Sequence, residues 1–148
     1  MIAIYIDFWL YTRMDTQYVQ RAVEYRNRGC NCAQSTALAF LPLLDIEEST
    51  LYKITEGFGA GMGGYDGTCG ALSGVVAVIS LLKSSGTVEH VTKEETYRLT
   101  KQLYDRFLNK NGSCVCKDLK GIETQVELRS CMGCIEDAVL LTQEILGV

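Results

Sequence analysis

Each of the four cysteine clusters in this chain follows a residue suited to cap a helix: Asn31-Cys32, Thr68-Cys69, Ser113-Cys114 and Ser130-Cys131. An N-cap side chain ties down the free amides of the opening turn. The residue after it therefore sits where unpaired N–H groups and the helix dipole favour negative charge. A thiol placed there is biased toward thiolate, the form that attacks disulfides and ligates metals. Four such turns meeting in one place would make either a redox thiol centre or the cage of a metal cluster.

The cysteines are not needed as staples. A chain of 148 residues buries roughly 68 to 70 % of its unfolded surface and supports its own core. Seven cysteines is an odd number and no secretory leader precedes them, which argues against an extracellular disulfide framework and for a reducing, cytoplasmic setting. Fourteen basic against 18 acidic side chains and a net charge of −4, with no Lys/Arg tract, exclude a nucleic-acid footprint and an anionic membrane partner. The first 13 residues form an apolar arm, with Ile2, Ile4, Ile6, Phe8, Trp9 and Leu10 interrupted by Asp7. The arm is too short to span a bilayer and lacks signal-peptide features, so it reads as an extension or a contact surface for a partner or a second copy. Residues 14–148 read as a single helical, Cys-rich domain.

Past the arm the periodicity is helical throughout. Thr16 can cap a first helix that stops at Gly29. Asn31-x-x-Gln34 has capping-box spacing and opens a second helix that ends before Pro42, and Asp45-x-x-Glu48 opens a third. Gly57, Gly59, Gly61, Gly63, Gly64, Gly67, Gly70 and Gly74 then follow within a few turns of chain, which no ordinary helix tolerates. From Cys69 to Lys83 the sequence is apolar almost all round, the signature of the buried centre of a bundle. Thr92-x-x-Glu95 caps a peripheral amphipathic helix running to Asn111-Gly112. The last helix follows Ser130 and presents Cys134, Ala138, Leu141 and Ile145 on one face. Residues 118–129 read as an irregular connection. The expected fold is all-α: a compact bundle of five to six helices around a buried central one, with a Gly-rich loop.

In order and spacing, Asn31-Cys32-Ala33-Gln34, the run from Gly57 to Gly63, Thr68-Cys69-Gly70-Ala71-Leu72-Ser73-Gly74, Cys116-Lys117-Asp118-Leu119 and Cys134 resemble the C_GCAxxG_C_C family of redox-active proteins. The resemblance covers nearly all of residues 15–148. It implies a small, mostly helical, cytoplasmic redox protein whose four recurrent cysteines correspond to Cys32, Cys69, Cys116 and Cys134. Cys30, Cys114 and Cys131 are additional, and they create Cys30-x-Cys32, Cys114-x-Cys116 and Cys131-x-x-Cys134. The last pair has redox spacing, with Cys131 as nucleophile and Cys134 as resolving thiol.

The lone histidine, His90, has no ligand partner nearby, so mixed Cys/His zinc spacing is excluded. One recurrent ligand per segment suits an iron–sulfur cluster better than the paired knuckles of zinc. The glycine loop matches no phosphate or dinucleotide motif, so no nucleotide is expected. Its open amides at Gly59, Gly61, Gly63 and Gly70 are placed instead to pack closely and donate to sulfur. Tyr65, Asp66 and Thr68 read as turn and cap residues, and no Ser/His/Asp constellation exists. Three functions compete: electron transfer through an iron–sulfur cluster to a redox partner protein, a thiol–disulfide relay or reductase, and a structural zinc or interaction module.

Overall fold

The computed structural model describes residues 17–148, and the apolar arm and the Thr16 cap lie outside them. Helix α1 covers 17–27 and ends as expected at Gly29, whose φ of +102° only glycine adopts freely. Its start is bound to the end of the next helix: Tyr18 stacks on Phe40 with ring centroids 4.9 Å apart. Arg21 lies over the Tyr18 ring and donates to the Ala39 carbonyl at 2.8 Å.

Helix α2 is Cys32–Ala39, opened by the expected reciprocal capping box. The Gln34 amide donates to Asn31 Oδ1 and the Asn31 amide to Gln34 Oε1, both at 2.9 Å. Every residue after Cys32 is buried, so α2 is more enclosed than the apolar helix predicted for the centre. Its polar side chains disguise this in the sequence, yet two of them are partnered, Thr36 Oγ1 donating to the Ala71 carbonyl at 3.0 Å and Gln34 Nε2 to the Tyr52 carbonyl at 3.2 Å, while Ser35 Oγ is buried without a partner. Buried polar groups with partners carry little penalty.

After a 3₁₀ turn at Leu41–Leu43, α3 spans Glu48–Glu56. Asp45 is not its cap. The N-cap position falls on Glu47, which makes no side-chain bond. The glycine segment then forms a single turn, α4, Gly59–Met62, in which Ala60 and Gly61 have left-handed φ/ψ and Met62 follows at φ +63°. Positive φ at Ala60, Met62 and Tyr65 stores roughly 1–3 kcal/mol at each residue.

Helix α5, Gly70–Lys83, packs against α2, α3 and α4 and against α6 (Lys93–Asn111) and α8 (Cys131–Leu146). It is central, as expected, although Leu81 reaches solvent. Close approach to α2 is possible because Gly74 lies on Ala33 and Thr36 with no room for a side chain. Thr92 stands at the start of α6 without capping it. Its hydroxyl instead accepts from the Ser85 amide at 3.0 Å. The predicted irregular stretch 118–129 is shorter than expected, since Cys116–Lys120 forms the short helix α7. Among the described residues no strand forms beyond an isolated antiparallel bridge of Thr68 with Val115, and no helix is long and apolar enough to cross a membrane.

Candidate functional site

Two of the four predicted caps form. Asn31 caps α2, and Ser130 caps α8 by accepting from the Gly133 amide at 3.0 Å. Thr68 and Ser113 do not cap, and the reason is tertiary. Residues 65–69 pair with 114–117 through Cys69 N–H to the Cys114 carbonyl at 2.7 Å, Cys116 N–H to the Gly67 carbonyl at 3.0 Å and Lys117 N–H to the Tyr65 carbonyl at 2.9 Å. This pairing moves both helix starts downstream. Cys69 itself becomes the N-cap of α5, and Val115 the N-cap of α7, with Cys116 as its first residue. Ser113 Oγ accepts from the Val115 amide at 3.0 Å and donates to Asp118 at 3.1 Å.

The consequence is convergence. Cys32, Cys69, Cys116 and Cys131 each stand at a helix start, Cys134 lies one turn into α8, and all five line a single cavity of about 250 Å³. No acid and no histidine lines it. All seven cysteines are free thiols, with Cys69, Cys116 and Cys134 buried and Cys32 and Cys131 partly exposed. Cys30 and Cys114 are buried outside the cavity. The four family cysteines are thus brought together, and Cys131 joins them.

The glycines act mainly by letting chain segments touch. A Cβ on Gly70 would strike Cys32 Sγ and lie 3.0 Å from the Phe58 carbonyl. One on Gly61 would meet Cys116 Cβ at 2.5 Å, and one on Gly59 would meet Asn31 Cγ at 2.6 Å. Gly63 faces open space and takes no part in the site. Of these four glycines Gly70 alone lines the cavity, where Ala60 also stands.

The thiols differ in acidity for physical reasons. Cys69 is lowered to about 7, first by a hydrogen bond from Cys134 and then, against the opposing effect of burial, by the backbone of Ala71 and Leu72 and by the charge of Lys120. Its partner Cys134 is raised by that same hydrogen bond and by burial. Cys134 Sγ also donates a long hydrogen bond to the Arg129 carbonyl, at 4.0 Å. The pair therefore holds one proton with the charge on Cys69, the sulfur that faces helix amides. Burial raises Cys116 to about 11. It also raises Cys32, partly offset by a backbone hydrogen bond from Ala60 in the left-handed turn.

Three cations at the cavity were not singled out from sequence: Arg26, Lys120 and Arg129. Arg129 forks onto the buried Asp137 at 3.0 and 3.1 Å, and Lys110 reaches the same carboxylate at 2.5 Å. The guanidinium fits because Gly133 has no side chain: a Cβ there would lie 2.5 Å from Arg129 Nε. The sequence signal was an arginine immediately before a helix cap and an acid on the helix behind it. Lys120 hydrogen-bonds to Cys131 and stands over the Tyr65 ring at 5.5 Å. By contrast Lys53, Lys93 and Arg98 are exposed away from the cavity.

The family description "Putative redox-active protein (C_GCAxxG_C_C)" matches residues 30–145. An uncharacterized protein of Archaeoglobus fulgidus is 29% identical over 134 residues, which cover 83% of this chain and 89% of the relative. No solved structure matches. The matched span takes in every helix start that carries a cavity cysteine, and the chain belongs to the C_GCAxxG_C_C family of redox-active proteins.

Proposed function

We propose that the protein transfers electrons through an iron–sulfur cluster held by Cys32, Cys69, Cys116 and Cys134. The observation that carries this is the walling of one cavity of about 250 Å³ by five thiols and no carboxylate or imidazole, a donor set suited to iron–sulfur ligation. Among the described residues no three His, Cys, Asp or Glu groups lie close enough to hold a metal ion as they stand, so the thiols would have to draw together on binding, and the preference for a cluster over one zinc rests on the placing of one recurrent cysteine per segment. When bound, such a cluster supplies one-electron chemistry. The chain's own residues do the rest. Cys69 is already biased toward the ligating thiolate, the backbone of Ala60, Ala71 and Leu72 hydrogen-bonds the Cys32 and Cys69 sulfurs, and Leu119 walls the cavity. Such hydrogen bonds and water exclusion tune the potential.

A second reading, thiol–disulfide chemistry, is favoured by the Cys69–Cys134 pair, in which a thiolate and a thiol are already in contact. The sequence pairing of Cys131 with Cys134 gives way in this reading to Cys69 with Cys134, joined across two helices.

Iron, acid-labile sulfide and the visible spectrum of protein purified without oxygen test the choice. Iron and sulfide in comparable amounts with broad visible absorption support the cluster, and Cys69→Ser abolishes them while far-UV circular dichroism is retained. A colourless, metal-free protein that loses two titratable thiols on oxidation overturns the cluster in favour of the disulfide.

A further inference from the structure

Cys131 is the thiol that the four ligands leave over. It is partly exposed while Cys69, Cys116 and Cys134 are buried, and it lies on the wall of the same cavity. It is the first residue of α8, a helix of 16 residues whose opening turn is fixed by the Ser130 cap. Lys120, the last residue of α7, hydrogen-bonds to it. Among the described residues no carboxylate is ion-paired with Lys120, whereas its neighbour Lys117 is held at 3.3 Å by both Asp66 and Glu123. The Lys120 ammonium is therefore left for sulfur, steadied by the Tyr65 ring. Cys32, the other partly exposed thiol, takes backbone amides rather than a cation.

The geometry points to Cys131 as a disulfide-exchange site separate from the cluster ligands, with Lys120, on the wall of the same cavity, as the cation that positions its sulfur. This rests on the redox reading of the cavity but not on which cofactor fills it. The substrate class is an external disulfide, small enough or extended enough to reach the cavity mouth. The Cys131 thiolate attacks one sulfur of R–S–S–R, a Cys131–S–S–R bond forms, the original S–S bond breaks, and R–S⁻ leaves to take a proton from water. One sulfur of the external disulfide is thereby reduced to a thiol and Cys131 is oxidised to a mixed disulfide. Lys120 acts through Cys131 and touches no reacting bond itself.

The test uses the full chain as purified, treated with a chromogenic aryl disulfide. The rate of release of the first aryl thiolate is read, and the adduct is located by peptide mass mapping. The first equivalent is expected on Cys131, and Cys131→Ser removes that fast phase. Lys120→Met slows it roughly three- to ten-fold, about the net worth of one lost hydrogen bond. Lys120→Arg restores the rate, which a merely structural role for the lysine would not require. Mapping of the first adduct to another cysteine, or a Lys120→Met rate equal to wild type, overturns the proposal even where Cys131→Ser fails to fold. Iron and sulfide are measured on the same samples. A metal-free protein with the fast phase intact sinks the cluster and leaves this site standing, and a metal-loaded protein lacking the fast phase does the reverse.

Discussion

Gly74 and Gly57 are both glycines of the same rich segment, and alanine at each should move stability in opposite directions. At Gly74 an added Cβ would fall inside contact distance of the Ala33 carbonyl and of Thr36 Oγ1, with Ala33 C at 3.0 Å. The Ala33 carbonyl is backbone in the most enclosed helix, so no rotamer change relieves it, and turning Thr36 aside breaks its bond to the Ala71 carbonyl. Overpacking costs about 1–3 kcal/mol and an orphaned buried hydroxyl about 1–3, against a gain of about 1 in helix propensity. The net expectation for Gly74→Ala is a loss of about 1–5 kcal/mol, equivalent to a fall in Tm of about 2–20 °C for a chain of this size. Gly57 has φ −72° and nothing within 4 Å of a built Cβ, so Gly57→Ala should gain about 0.4–1 kcal/mol by restricting the unfolded chain. Urea unfolding followed by far-UV circular dichroism, with the slope m compared across variants, measures both. A Gly74→Ala protein as stable as Gly57→Ala would refute the close approach of α2 and α5.

In the reduced, metal-free protein, alkylation of Cys69 should titrate with a midpoint near its lowered value of about 7, and Cys134→Ala should move that midpoint upward by removing the hydrogen-bond donor. Peptide mapping across pH checks this, and a midpoint above the ordinary 9.0 contradicts it. Asn31→Ala should cost about 1 kcal/mol as a lost cap and lose the 2.8 Å bond from Asn31 Nδ2 to the Glu56 carbonyl, while Asn31→Asp keeps the cap and loses only that donor; urea midpoints separate the two. For Asp137, burial alone would raise the carboxyl, but hydrogen bonds from Arg129 and Lys110 outweigh it and hold it below its ordinary 3.8. Its contribution is therefore complete above that pH and lost as pH falls through the folded value. Asp137→Asn should lower stability at neutral pH and flatten the acid limb of the unfolding curve, and parallel acid limbs would count against the ion-pair assignment.

The legible parts of this protein were local. The Asn31 to Gln34 box, the Ser130 cap and the glycine stops after α1 and α6 depend on interactions within one turn of chain, and the sequence placed them correctly. The Thr68 and Ser113 caps misled because Thr68 and the residues just after Ser113 join an antiparallel pairing between segments distant in sequence, and such pairing overrides local cap preference. The enclosure of α2 was hidden for a similar reason. Gln34, Ser35 and Thr36 interrupt its apolar pattern, and partners for Gln34 and Thr36 in other elements are what make their burial possible.

By itself the sequence determined an all-helical chain, the thiol-only character of its candidate centre and its family, because residue type and spacing carry those directly. The tertiary structure decided which sulfurs share a cavity, that a hydrogen bond joins Cys69 to Cys134 across two helices, and that Lys120 stands against Cys131. A thiol's acidity is set by the charges, amides and burial within a few ångströms of it, and those neighbours come from segments whose meeting no local pattern specifies.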